Sequence, residues 1–133
     1  MSLKKFLLRF LLTLMVTLAI NGGFYWLSVL NGWWDPGFTP ARYVRPMNGF
    51  PVLVNTLQAV IIGSLMFRML TYYVSNGYLY FYFLSAVVFV LMFFAPFNIE
   101  GLPASMLACL ETLHVTTALP LLFILPRGLK RED

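Results

Sequence analysis

The chain has 133 residues, of which 60% are hydrophobic, 17% aromatic and only 11% charged, and its mean hydropathy is +0.81. A soluble domain has about 45–50% apolar and about 25% charged residues. This composition argues against a soluble enzyme, a disordered chain and a disulfide-built miniprotein, and it predicts that lipid is the solvent. Cys109 is the single cysteine, so no internal disulfide can form.

Four apolar runs follow one another along the chain, and each matches the roughly 20 residues that a transmembrane helix needs. They cover about residues 6–30, 51–70, 78–95 and 103–125. Lys4, Lys5 and Arg9 at the start would also suit a signal peptide, but the first run continues through Trp26 without an A-x-A-like cleavage site. We therefore expect an all-α fold: one domain over residues 1–133, an integral membrane four-helix bundle.

Residues 31–50 separate the first two runs and are rich in proline, glycine and aromatic residues. This pattern predicts an irregular loop outside the hydrocarbon. Trp33 and Trp34 are expected to anchor it at the membrane interface, where an aromatic ring can keep one edge wet.

The distribution of basic residues predicts the orientation of the helices. One side of the predicted bundle carries most of the Lys and Arg residues, namely Lys4, Lys5, Arg9, Arg68, Arg127, Lys130 and Arg131, and the other side carries Arg42 and Arg45. The positive-inside rule then places both termini in the cytoplasm. Because the basic residues flank apolar runs, the net charge of +4 indicates membrane orientation, and no nucleic-acid partner is expected.

Polar side chains inside the runs are the candidate functional residues, because such groups are costly in hydrocarbon. Glu111 is the only acidic residue well inside a run, and His114, the only histidine, follows it three positions later on the same helix face. Counting the rise along each helix puts Asn21, Asn55 and Gln58 at similar depths. We expect these five side chains to form one intramembrane polar cluster.

Two interpretations of this cluster are open. It can be a structural contact, in which interhelical hydrogen bonds set the packing of the helices. It can also be functional, with Glu111 as the titrating group of a proton relay, an ion path or a small-ligand site.

Catalytic and metal-binding signatures are missing from the sequence. Di-iron bundles use Glu-x-x-His on several helices, whereas Glu111-Thr112-Leu113-His114 is the only copy here. We therefore expect no enzyme activity, no metal site and no cofactor. The Phe- and Tyr-rich third run would suit a bound lipid or pigment.

The segment from Leu110-Glu111-Thr112-Leu113-His114-Val115 through Ala118, Leu119 and Pro120, with the four-run layout, resembles an uncharacterised family of small bacterial membrane proteins defined only as a domain of unknown function. The resemblance implies four helices and a bacterial source, hence the inner membrane, and implies no activity. Small four-span multidrug exporters are less similar, because the first run lacks the membrane-embedded glutamate expected of them.

Two functions fit these features. The first is a structural or accessory subunit that packs against other membrane subunits, since the chain has almost no mass outside the lipid. The second is a small oligomeric transporter or ligand-binding protein that uses Glu111 and His114.

Overall fold

The computed structural model describes residues 1–127 and confirms the predicted all-α class. Its elements are the helices α1 (Leu3–Leu30), α2 (Gly49–Tyr73), α3 (Gly77–Phe94) and α4 (Ala104–Phe123), with a 3-10 turn (Ala95–Asn98) after α3. Both α1 and α3 pack against α2 and α4. Lys130 and Arg131, which also enter the prediction of helix orientation, lie outside the described residues.

Three of these helical segments are long and apolar enough to cross a membrane. They are Gly49–Tyr73, Gly77–Asn98, which includes the 3-10 turn, and Ala104–Phe123. α1 is longer, with 28 residues, but is not among the three. Its first turns carry Lys4, Lys5 and Arg9, and Asn21 lies in its second half.

The chain reverses direction between consecutive helices, so all four helices share two ends. The Arg68 guanidinium near the end of α2 donates to the Met1 carbonyl at 2.7 Å, beside the start of α1. The Tyr82 hydroxyl near the start of α3 donates to the Leu122 carbonyl in the last turn of α4 at 3.0 Å. That carbonyl needs an outside donor because Pro126, four residues later, has no N–H.

Short polar residues and glycine set the helix boundaries. The Ser2 hydroxyl accepts from the Lys5 backbone N–H at 3.3 Å and caps α1. The Asn48 side chain accepts from the Phe50 N–H at 3.1 Å at the start of α2. Between α2 and α3, Asn76 adopts a left-handed conformation with φ of 57°, which asparagine tolerates better than most residues. The two side-chain caps thus satisfy backbone N–H groups at the starts of α1 and α2.

The core consists of two apolar clusters. The first contains Trp34, Val52, Met106, Cys109 and Leu113. The second lies near the opposite end and contains Phe6, Phe67, Phe81 and Leu125. Asn21, Thr56 and other small polar side chains are also buried in the interior.

Trp34 corrects the prediction of an interfacial anchor at this position. Its side chain is only 2% exposed, its Nε1 donates to the Met47 carbonyl at 2.7 Å, and its ring meets Tyr25 edge-on with centroids 5.6 Å apart. The loop therefore folds back over one end of the packed helices and places Trp34 in the core. Trp33 is about half exposed, and its role as an anchor stays a prediction.

Large apolar side chains cover the outer surface of the helices. In the most apolar 18-residue stretch of Gly77–Asn98, only 6% of the residues are buried. Leu79, Phe83, Val87, Val90 and Phe94 form an exposed stripe along this helix. So extensive an apolar exterior is unfavourable in water and favourable in lipid.

Gly77 allows the tight connection between α2 and α3. An added Cβ at Gly77 would collide with the Leu70 carbonyl and lie 2.8 Å from the Thr71 nitrogen. Since both neighbours are backbone atoms, they cannot move aside by a change of rotamer. We expect Gly77→Ala to lower the free energy of unfolding by about 2–3 kcal/mol, measured by thermal unfolding in detergent.

Gly23→Ala is the matched control for Gly77→Ala. A Cβ at Gly23 meets nothing within 4 Å, so alanine at this mid-helix position should raise stability by about 0.5–1 kcal/mol. Equal stability of the two variants would contradict the backbone contact at Gly77.

Candidate functional site

Asn21 is the centre of a buried hydrogen-bond network that joins α1, α2 and α4. Its side-chain nitrogen donates to the Thr56 hydroxyl of α2 at 2.9 Å and to the Thr117 hydroxyl of α4 at 2.8 Å. Its side-chain oxygen accepts from the Thr116 hydroxyl of α4 at 2.6 Å. Both amide hydrogens and the amide oxygen are therefore satisfied in a side chain that is 1% exposed.

The threonine hydroxyls of this network also have acceptors on their own helices. Thr56 donates to the Val52 carbonyl at 2.7 Å, and Thr117 donates to the Leu113 carbonyl at 2.7 Å. Each hydroxyl can thus accept from Asn21 while its own hydrogen is used elsewhere. The donor and acceptor directions are consistent throughout the network, which is the condition for a buried polar group to be stable.

The face of α1 that carries Asn21 is lined by small hydroxyl side chains. Thr13, Thr17 and Ser28 are fully buried on it. Each donates to the carbonyl four residues earlier, at 2.8, 2.6 and 2.7 Å. Small residues let helices approach closely in lipid, and these hydroxyls are satisfied without any other helix.

Glu111 and His114 lie apart from the Asn21 network. They occupy neighbouring positions on one side of α4, with 3.9 Å between the His114 Nδ1 and a Glu111 carboxylate oxygen. Their side chains are 15% (Glu111) and 28% (His114) exposed. Within residues 1–127, neither Glu111 oxygen nor the His114 Nδ1 has a hydrogen-bond partner, although all three atoms are buried. Such unsatisfied groups suit the binding of a hydrogen-bond donor or a cation.

An open groove runs between α3 and α4. Its volume is about 420 Å³, and it is lined by Tyr82, Ser85, Ala86, Phe89, Val115, Ala118, Leu119 and Leu122. Val115 and Ala118 follow Glu111 by four and seven residues, so the three lie on one face of α4. A chain-like apolar molecule in this groove would have Glu111 beyond one end.

Asn55 and Gln58 do not join the other predicted site residues. Both are exposed on the outer side of α2, whereas the adjacent Thr56 is buried and reaches Asn21. One residue along a helix rotates the side chain by about 100°, which is enough to separate Asn55 from Thr56. The five predicted residues therefore occupy three places: Asn21 in the interior, Glu111 and His114 together on another side of α4, and Asn55 with Gln58 on the outside of α2.

The threonines are the site residues that sequence reasoning missed. Threonine is common in apolar helices, so its presence there does not by itself indicate a site. The signal was the spacing of Thr13, Thr17 and Asn21, four residues apart each time, which marks one polar stripe in an otherwise apolar helix.

Comparisons with known proteins add no relative: no protein-family model, curated protein or solved structure matches the chain. Among residues 1–127, no three His, Cys, Asp or Glu side chains lie together in a way that would hold a metal ion.

We expect Asn21→Leu to lower the free energy of unfolding by about 2 kcal/mol, because three interhelical hydrogen bonds in lipid contribute about 0.6 kcal/mol each. The threonines keep their carbonyl acceptors, so no orphaned hydroxyl adds a larger loss. Asn98→Leu, at an exposed position after α3, should change stability little. Thermal unfolding in detergent measures both, and an Asn21→Leu variant as stable as the native chain would contradict the bridging role.

Proposed function

We propose that this chain is an integral membrane protein of four spans and that it acts as a structural or accessory subunit of a larger membrane complex. Three apolar helices, an apolar exterior and a hydroxyl-lined interior support the membrane location. The resemblance to small bacterial membrane proteins makes the bacterial inner membrane the proposed compartment.

α1 is included as the fourth span because its polar groups need not face lipid. Lys4, Lys5 and Arg9 lie in its first turns, where long basic side chains can extend to the headgroups. Asn21 has all its partners inside the bundle. The remaining outer surface of α1 is dominated by exposed leucine, methionine and aromatic residues.

The proposed orientation puts both termini in the cytoplasm. The antiparallel helices bring the basic start of α1, Arg68 and Arg127 to one end, while Arg42 and Arg45 belong to the other. Basic residues favour the cytoplasmic side. The loop that contains Trp33 would then face outward.

The observation that carries the accessory role is the exposed apolar stripe of α3. Few residues of this helix are buried, and its stripe offers Phe83 and Phe94, 67% and 61% exposed, to a neighbour. Aromatic side chains contribute strongly to protein interfaces. A helix held at one face by α2 and α4 can thus present its other face to larger subunits.

Purification from native membranes in a mild detergent tests this role. We expect a fixed set of larger membrane proteins to copurify with the chain, and Phe83→Ala with Phe94→Ala to lower their recovery about tenfold, the effect of losing about 1.4 kcal/mol. Leu8→Ala with Met15→Ala, at equally exposed α1 positions, should leave recovery unchanged. A native chain that purifies without any other protein would contradict the accessory role.

A second candidate is a ligand-binding membrane protein, favoured by the unsatisfied Glu111 oxygens beside the groove between α3 and α4. The groove, lined mostly by apolar side chains, suits an alkyl chain. The Glu111 carboxylate suits a cationic head group. An amphiphilic amine combines the two and is the ligand class we propose for this site.

A fluorescent dodecylamine tests the second candidate. We expect Glu111→Gln to weaken its binding about tenfold, since a charge-assisted contact contributes about 1.5–3 kcal/mol, and Ala118→Leu to weaken it by filling the groove. Glu100→Gln, at an exposed position, is the control. Binding that is unchanged in both Glu111→Gln and Ala118→Leu would eliminate this candidate.

A further inference from the structure

Two amide side chains on the outside of α2 have no structural explanation within residues 1–127 of one copy. Asn55 and Gln58 are exposed, and neither side chain makes a hydrogen bond within the part of the chain that the structure describes. α2 runs over Gly49–Tyr73, so its midpoint is near Ile61. At about 1.5 Å per residue, Gln58 is about 4–5 Å and Asn55 about 9 Å from that midpoint.

These depths put both amides in hydrocarbon if α2 crosses the membrane. Half the hydrocarbon thickness is about 15 Å, so Gln58 is too deep to reach the headgroups. An unpartnered amide facing lipid is costly. The exposed Thr112 on α4 avoids this cost by donating to the Ala108 carbonyl at 2.8 Å. The amides of α2 have no comparable partner among residues 1–127.

The two amides belong to a regular stripe along α2. From Asn55 the exposed positions advance by alternating steps of three and four residues: Asn55, Gln58, Ile62, Leu65, Met69 and Tyr72. This repeat averages about 3.4 residues, close to the spacing of 3.5 with which one helix packs against another in a left-handed pair. We call these six residues the α2 seam.

The intramolecular contacts of α2 use the opposite side of the helix. Val52, Thr56, Val60, Ser64 and Phe67 are its buried residues, and they are rotated by about 170° from the centre of the seam. The described helices α1, α3 and α4 therefore leave the α2 seam open for another molecule.

We propose that the α2 seam binds the α2 seam of a second copy of this chain, forming a parallel dimer in the membrane. The inference rests on the proposed membrane location and goes beyond the accessory role. Two copies inserted in the same orientation have their α2 helices parallel and at the same depth. Asn55 then meets Asn55 of the second copy, and Gln58 meets Gln58.

Hydrogen-bond complementarity selects a second copy as the occupant. An amide has both a donor and an acceptor, so two identical amides can satisfy each other across a two-fold axis. A different membrane protein would need polar groups at the same two depths, whereas a second copy has them automatically. A single polar pair in a helix seam also fixes register and the number of chains.

Cross-linking in lipid vesicles tests the contact. The native Cys109 is 4% exposed and stays in place. The purified full chain carrying Ile62→Cys, at the centre of the seam, should form a disulfide-linked dimer on oxidation. Leu91→Cys on α3 is the matched control, because Leu91 is 64% and Ile62 66% exposed. Equal cross-linking of both variants would mean that the contact is random collision and would overturn the proposal.

The strength of pairing tests the role of the amides. In the same vesicles, energy transfer between labelled copies at increasing dilution in lipid gives the dissociation constant. We expect Asn55→Leu with Gln58→Leu to raise the dissociation constant of the dimer at least tenfold, equivalent to about 1.4 kcal/mol. Thr112→Val, which removes a polar group from an exposed face of α4, should leave it unchanged.

The possible failures are distinguishable. A native chain that remains monomeric at all dilutions, or a double variant that pairs as tightly as the native chain, would overturn the dimer while leaving the membrane location intact. Recovery of the chain from cells in the soluble fraction after an alkaline wash would overturn the membrane location and the dimer together.

Discussion

The hydrogen bonds of the Asn21 amide are the interaction on which the arrangement of the helices depends. Three threonine hydroxyls, one from α2 and two from α4, converge on a single side chain of α1. In lipid the apolar surfaces of helices gain little from contact with each other, so buried hydrogen bonds and close packing decide how helices associate. Because an amide has defined donor and acceptor directions, this contact sets both the depth and the rotation of α1, α2 and α4.

The network also explains why the interior contains small polar residues while large apolar residues lie outside. Thr13, Thr17 and Ser28 are buried and bond to carbonyls of their own helix, so they make α1 narrow on its inner face without leaving unsatisfied groups. The apolar clusters around Trp34 and Phe67 lie near the two ends of the packed helices. The two kinds of packing are complementary, since hydroxyls allow close approach and aromatic rings fill the wider spaces.

Polar groups outside this interior have a different meaning. The Glu111 carboxylate oxygens and the His114 Nδ1 are buried atoms without hydrogen-bond partners among the described residues, and Asn55 and Gln58 are exposed on α2. A polar side chain with every partner in place, such as Asn21, holds the structure together. These two groups of side chains mark two surfaces where another molecule would supply hydrogen bonds that the described residues do not make, and we base the ligand and dimer proposals on them.

The class of the protein, the apolar runs that become helices and the lack of catalytic motifs follow from composition and local pattern, because helix formation in an apolar segment depends on residues close in sequence. Trp34 and Thr56 show where such reasoning ends. Trp34 lies in a sequence typical of an interface but enters the core because the loop folds back and offers the Met47 carbonyl. Asn55 and Thr56 are adjacent polar residues, and the local sequence does not indicate which of them faces the interior. Thr56 is buried because it contacts Asn21 on another helix. Helix rotation depends on contacts between residues far apart in the chain, which no local pattern contains.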